Sequence, residues 1–121
     1  MRREILYLTD IIEAADYIAA FISGVDFEGF QKSEMLRSAV VQKLSIIGEA
    51  AARVSETLTR RYPQVPWPRI VAFRNILVHA YFGIDWDEVW RAARNRCPVL
   101  RDQAAHILAA ESGRSEDEDG R

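Results

Sequence analysis

The stretch Phe73-Arg74-Asn75-Ile76-Leu77-Val78-His79-Ala80-Tyr81 gathers side chains suited to phosphate chemistry, and it holds one of the only two histidines in the 121-residue chain. A histidine with an ordinary pKa of about 6.5 can take or give a proton near neutral pH. An arginine stays charged and presents a planar fork that matches two phosphate oxygens. Cleaving a phosphodiester beside a 2′-hydroxyl, as in RNA, needs a base for the hydroxyl proton and an acid for the leaving 5′-oxygen. It also needs a cation for the charge on the phosphorus oxygens. Arg74 and His79 offer these functions without a metal ion, and Asn75 is a supporting candidate that could orient the phosphate or the imidazole. Each residue also has a plainer role. His79 alone reads as a helix C-terminal histidine favoured by the dipole, Arg74 as a surface ion-pair partner, and Tyr81 as a packing aromatic.

Spacing complicates the pairing. Arg74 and His79 are five residues apart, about 140° around an ideal helix, so they do not share a face. Arg74 and Tyr81 are seven apart and nearly aligned. Three arrangements remain open: the long Arg74 side chain reaches round, the helix end unwinds before Gly83, or two copies of the helix share a cleft across a two-fold axis.

The elements that must position these residues read as helices throughout, with no strand alternation, no hairpin turn and no internal repeat. Ile5, Leu8, Ile12, Ala15, Ala19 and Ile22 predict a first helix over about Arg3 to Ser23, stopped by Gly24. Residues 26–31 form a connector that could bury Phe27 and Phe30. Ser33 is a candidate cap for a long second helix from Glu34 to Arg61, ended by Tyr62-Pro63-Gln64-Val65-Pro66. A second apolar face on this helix would suit a dimer contact. A third helix runs from Pro68 to about Tyr81, and Asp85 with Glu88 reads as a capping box for a fourth. Pro98 predicts a kink or break inside that fourth helix. Short connections favour an antiparallel four-helix up-down bundle. Trp67, Trp86 and Trp90 read as packing residues, and Glu49 as exposed.

Apolar residues make up 49% of the chain and charged residues 28%, enough for one core and a wetted surface. The formal net charge of -2 argues against a nucleic-acid partner only until its distribution is read. Glu111 to Arg121 carries five acids and two arginines, whereas residues 1–110 carry fourteen basic and thirteen acidic side chains. The domain over 1–110 is therefore near neutral, and any RNA affinity must come from a local patch; Arg91 and Arg94, with Arg96 and Arg101, are the best candidates. The tail, 111–121, lacks large apolar residues and reads as disordered. A lone cysteine, Cys97, excludes an intrachain disulfide. No signal peptide or membrane-length apolar run is apparent, which predicts a cytoplasmic protein with no membrane partner. His79, His106 and Cys97 lack a metal-ligand spacing, so neither metal nor cofactor is expected.

The residues also carry a resemblance. Arg74, His79 and Tyr81 resemble the Arg-x4-His-x-Tyr motif of HepT toxins, ribonucleases of the HEPN superfamily. Ile46-Ile47-Gly48-Glu49-Ala50-Ala51, Tyr62-Pro63-Gln64-Val65-Pro66-Trp67, Phe82-Gly83-Ile84-Asp85 and Val89-Trp90 with Pro98 and Leu100 are similar to text of that family in the same order. The similarity covers about Met1 to Leu108, and Phe73 stands where the family often has methionine. The resemblance implies an HEPN-like helical homodimer with its cleft at or near the interface, and metal-independent RNA cleavage by Arg74 and His79. It also implies a toxin–antitoxin pair, in which an MntA-like nucleotidyltransferase antitoxin inhibits the toxin by AMPylation of Tyr81. The rival reading is a non-catalytic helical binding module that docks and assists a nucleotidyltransferase; a third is a plain structural bundle.

Overall fold

The computed structural model describes residues 2–119; for Arg2, Tyr81 and residues 115–119 it describes the backbone alone. The elements are α1 (Arg2–Ile22), α2 (Phe27–Lys32), α3 (Glu34–Arg53), α4 (Glu56–Arg61), α5 (Trp67–His79), a 3-10 turn (Tyr81–Gly83), α6 (Trp86–Arg91), a π-helical segment (Ala92–Arg96) and α7 (Cys97–Asp119). Among the described residues there is no strand, and the fold is an all-helical bundle.

The first helix ends as its composition requires. Gly24 takes a left-handed φ of 73°, a conformation that costs glycine little. Its buried stripe, Leu8, Ile11, Ala15, Ile18 and Ile22, is turned one residue from the expected one, leaving Ala19 exposed. Asp26 caps α2 by accepting from Gly29 N–H, and α2 buries Phe30 against Trp86 and Trp90. Ser33 caps α3 as expected, accepting from Leu36 N–H at 3.1 Å.

The long second helix is in fact two. The chain is extended at Val54, and Ser55 starts α4 as an N-cap that accepts from Leu58 N–H. Apolar spacing runs through the break, because Val54 and Leu58 are both buried, and so it hides the break. A distant residue stabilises it: Ser55 N–H donates to Glu4 Oε2 at 3.1 Å, 51 positions away.

The fourth helix differs in the other direction. Pro98 neither breaks nor ends it. The preceding turn widens, and Cys97 N–H bonds to Ala92 C=O, one residue further back than in an α-helix. A proline has no N–H to give and its ring crowds the carbonyl four residues back; the wide turn accommodates both effects. Asp85 accepts from Asp87 and Glu88 N–H, but Glu88 pairs with Arg91 and Arg96 instead of closing a capping box.

α1 packs on α3 and α7, and α3 packs on α5. The seam between α5 and the α6–α7 rod stays open as a groove of about 810 Å³, floored by Leu44 and Ile47 of α3. No helix among the described residues is long and apolar enough to cross a membrane.

The boundary expected at residue 110 falls inside α7. Glu111 is fully buried, and the helix continues beyond it. Its carboxylate accepts from Arg61 Nη1 at 2.6 Å and from the Tyr62 hydroxyl at 2.7 Å, so its burial is matched by partners. Burial alone raises the Glu111 pKa, but the bonds from Tyr62 and Arg61 outweigh it and hold the carboxyl below its ordinary range. Of the expected disordered tail, residues 120–121 lie outside the described residues, as do the side chains of 115–119.

Candidate active site

Pro68 opens α5 in its first turn, where a missing N–H costs nothing. Trp67 anchors that end: it is buried, and its indole N–H donates to the Tyr62 carbonyl at 3.0 Å. Leu77 is the buried foot of the helix near its other end. Between these anchors, Arg74 is half-buried while Asn75 and His79 are exposed. Arg74 Nη1 donates to Asn75 Oδ1 at 3.0 Å, which joins the cation and its supporting amide.

The helix remains regular through His79 and leaves α geometry only at Ala80. No unwinding between Arg74 and His79 brings them onto one face. Tyr81 stands beyond the helix in the 3-10 turn, so its expected alignment with Arg74 two helical turns on does not hold. The position of its side chain lies outside the described residues.

Around the motif the surface is apolar. Ile76 is 53% exposed, Val78 is 49% exposed and Phe82 is fully exposed. Ile76 and the half-buried Phe73 reach the open groove, whose far wall includes the exposed Val99 of α7. Sequence reasoning placed a spare apolar face on the second helix, but the structure places it on α5 and its following turn. The signal was present as Ile76, Val78 and Phe82, three apolar residues interleaved with the polar ones. Gly48, quoted in the family-like text without a role, lies against Arg74.

The basic patch is largely engaged. Arg91 and Arg96 both pair with Glu88, at 3.0 and 2.6 Å, and hold its carboxyl below the ordinary range. Arg101 pairs with Asp16, and the Arg94 guanidinium lies 5.9 Å from the Trp90 ring centre. Among the described residues, Arg94 thus remains the member of the patch without a carboxylate partner. Cys97 is buried, and burial pushes its thiol up to about 12, which keeps it protonated and unreactive. His106 is exposed on α7. Among the described residues no three His, Cys, Asp or Glu side chains gather to hold a metal ion.

These features define a class: a small helical bundle in which one short helix carries a half-buried arginine and an exposed histidine beside an open apolar seam. The sequence model of the family described as "Ribonuclease HepT-like" matches residues 11–107. A protein of Methanocaldococcus jannaschii named "Putative RNase" is 37% identical over 95 residues, covering 78% of this chain and 87% of its own. One from Thermococcus cleftensis named "Probable ribonuclease HepT" is 36% identical over 95 residues, covering 78% and 86%. Another "Putative RNase", from Caldanaerobacter subterraneus subsp. tengcongensis, is 32% identical over 105 residues, covering 87% and 94%. The chain belongs to the HepT-like ribonuclease family. No solved structure gives a match.

Proposed function

We propose that this chain is a metal-independent endoribonuclease that works as a homodimer around Arg74 and His79, and serves as the toxin of a toxin–antitoxin pair. The observation that carries this reading is the Arg74-x4-His79 pair of α5, its arginine half-buried and its histidine exposed, in a chain of a ribonuclease family. In the proposed reaction a base removes the 2′-hydroxyl proton, the 2′-oxygen bonds to phosphorus, and the bond to the 5′-oxygen breaks. An acid gives that oxygen a proton, leaving a 2′,3′-cyclic phosphate and a free 5′-hydroxyl. Arg74 offsets the charge that builds on the phosphorus oxygens.

The homodimer, which the family resemblance implies, is supported by counting groups. The motif of one protomer holds one histidine, and the reaction uses both a base and an acid. Two copies of α5 across a two-fold axis supply two His79 side chains. Exposed Ile76, Val78 and Phe82 give the interface apolar surface. The regular α5 between Arg74 and His79 favours this arrangement over an unwound helix.

Tyr81 is the proposed regulatory site. A nucleotidyltransferase antitoxin of the MntA kind would transfer AMP from ATP to its hydroxyl oxygen, the phenol losing its proton and pyrophosphate leaving. A phosphate added two residues from His79 places negative charge where the RNA phosphate must sit. A cytoplasmic site of action goes with an RNA substrate, tRNA or messenger RNA.

The test is RNA cleavage by the chain purified without any antitoxin, in excess EDTA, wild type beside His79→Ala. Cleavage by wild type alone supports the reading. Equal cleavage by both removes His79 from it. No cleavage by either, with Tyr81 shown unmodified by mass spectrometry, turns the assignment to the non-catalytic binding module.

A further inference from the structure

A glycine in the middle of the 20-residue α3 is a poor helix former, so its place there calls for a reason. Gly48 has one. It is buried, and a Cβ built on it falls 2.1 Å from Arg74 Cβ, 2.6 Å from Arg74 Cγ and 3.4 Å from Arg74 Cα. The obstructed atoms belong to the root of the side chain and the α5 backbone, which cannot swing aside as a side-chain tip does. Gly24, Gly83 and Gly113 meet nothing within 4 Å, and Gly29 meets only its own cap and Val25. Among these glycines, Gly48 is the one that lets another helix approach.

The approach concerns the arginine of the motif and not a packing residue. The stem of Arg74 lies on the bare α3 backbone, its Nε is buried with no hydrogen-bond partner among the described residues, and its Nη1 is held by Asn75 Oδ1. A long side chain with many rotamers is thereby anchored at its base and near its tip. Asn75 also lines a shallow cleft between Ala51 and Ala52 of α3 and Val71 of α5.

We propose that Gly48 is a positioning residue for RNA cleavage. Its missing side chain seats Arg74 on α3, and that seat fixes the direction in which the guanidinium meets the scissile phosphate. The inference rests on the ribonuclease reading and adds to it a second helix on which the site depends. A Cβ at residue 48 displaces Arg74, either by shifting α5 or by forcing the arginine into another rotamer. The phosphate then loses a pre-set partner while His79, five residues on, keeps its chemistry.

The experiment measures binding of the full chain to a 2′-O-methyl RNA, which lacks the proton needed for cleavage, over a range of salt. Cleavage of ordinary RNA across pH is measured in parallel. Arg74→Ala is expected to weaken binding and lower the slope of log Kd against log salt by about one. Gly48→Ala is expected to lower that slope in the same sense and slow cleavage at least tenfold, with the shape of the pH profile kept. Added to Arg74→Gly, which removes the colliding Cβ along with the guanidinium, Gly48→Ala is expected to cause no further loss. A wild-type slope and rate in Gly48→Ala overturn the proposal, as does a further loss when it is added to Arg74→Gly. If Gly48→Ala does not fold, Gly48→Ala with Arg74→Gly removes the colliding Cβ and is expected to restore the melting transition; failure to restore it overturns the proposal too. Wild-type cleavage that does not depend on Arg74 overturns the ribonuclease assignment of Arg74, and the role of Gly48 with it.

Discussion

The C-terminal part of α7 and the end of α5 treat polar groups in opposite ways. Near the end of α7, Glu111 is wholly enclosed and its two oxygens are met by Arg61 and Tyr62, with Arg114 at 3.7 Å. Near the end of α5, His79 and Asn75 face solvent, Arg74 spends one donor on its neighbour, and Ile76, Val78 and Phe82 are exposed. A buried charge without partners would be lost to selection for folding, so partners are expected wherever the charge is structural. A charged helix end ringed by exposed apolar side chains contributes little to the stability of the single chain. On the proposed ribonuclease reading, its reason lies in what binds there.

The sharpest break between the two regions is in activity. His79→Ala is expected to lower RNA cleavage by about 10²–10⁴, the range of general acid–base catalysis. Its melting temperature should stay near wild type, since exposed substitutions of this kind move stability by about 0.5 kcal/mol at most. A large drop in melting temperature would place His79 with the structural residues and erase the contrast.

Glu111→Ala should do the reverse. It leaves Arg61 and Tyr62 without their acceptor, and Arg61 is 31% exposed, so the cost is about 2 kcal/mol, below that of a fully enclosed pair. Thermal unfolding should fall by about 8 °C, with cleavage per folded molecule unchanged. Loss of cleavage at full stability would mean that the Glu111 cluster belongs to the site.

A third variant sharpens the reading of the exposed apolar residues. Ile76→Asp puts a charge into the seam beside the motif and should weaken self-association about tenfold or more, read by sedimentation. A wild-type chain that sediments as a monomer at every concentration would leave the homodimer unsupported.

The smallest effect is in pH. Because the folded Glu111 carboxyl lies below its ordinary value, its contribution is present above about pH 4.3 and is lost as pH falls through the folded value. Glu88 is shifted the same way by Arg96 and Arg91, so its contribution is lost in the same direction of pH. The difference between wild type and Glu111→Gln isolates Glu111: the variant should melt lower at neutral pH, and the gap should close over the window in which pH falls below about 4.3 and through the folded value. A gap that stays constant through this window would assign the wild-type acid loss to other groups.

Much of the fold was legible in the order of residues because the signals are local. Gly24 stops α1, Ser33 and Asp85 cap α3 and α6, and Pro68 opens α5, each through a bond or a φ angle within a few residues. The arginine–histidine motif was equally legible, since it is a matter of residue type and spacing. The break at Val54 was not, because it depends on Glu4 arriving from α1 while the apolar rhythm runs on unbroken. Glu111 read as a tail acid because its position along α7 says nothing about Arg61 and Tyr62, about 50 positions earlier in the chain. Pro98 read as a kink or break, and the widened turn before it lets the ring fit where helix continues on both sides. By itself, then, the sequence determined most of the helices, their caps and the placing of Arg74 and His79 five residues apart on one of them, all of which depend on near neighbours. The tertiary structure alone decided that Gly48 seats Arg74, that Glu111 is enclosed and that the seam beside α5 stays open. Those facts depend on which distant surfaces meet, and no local pattern of residues records that meeting.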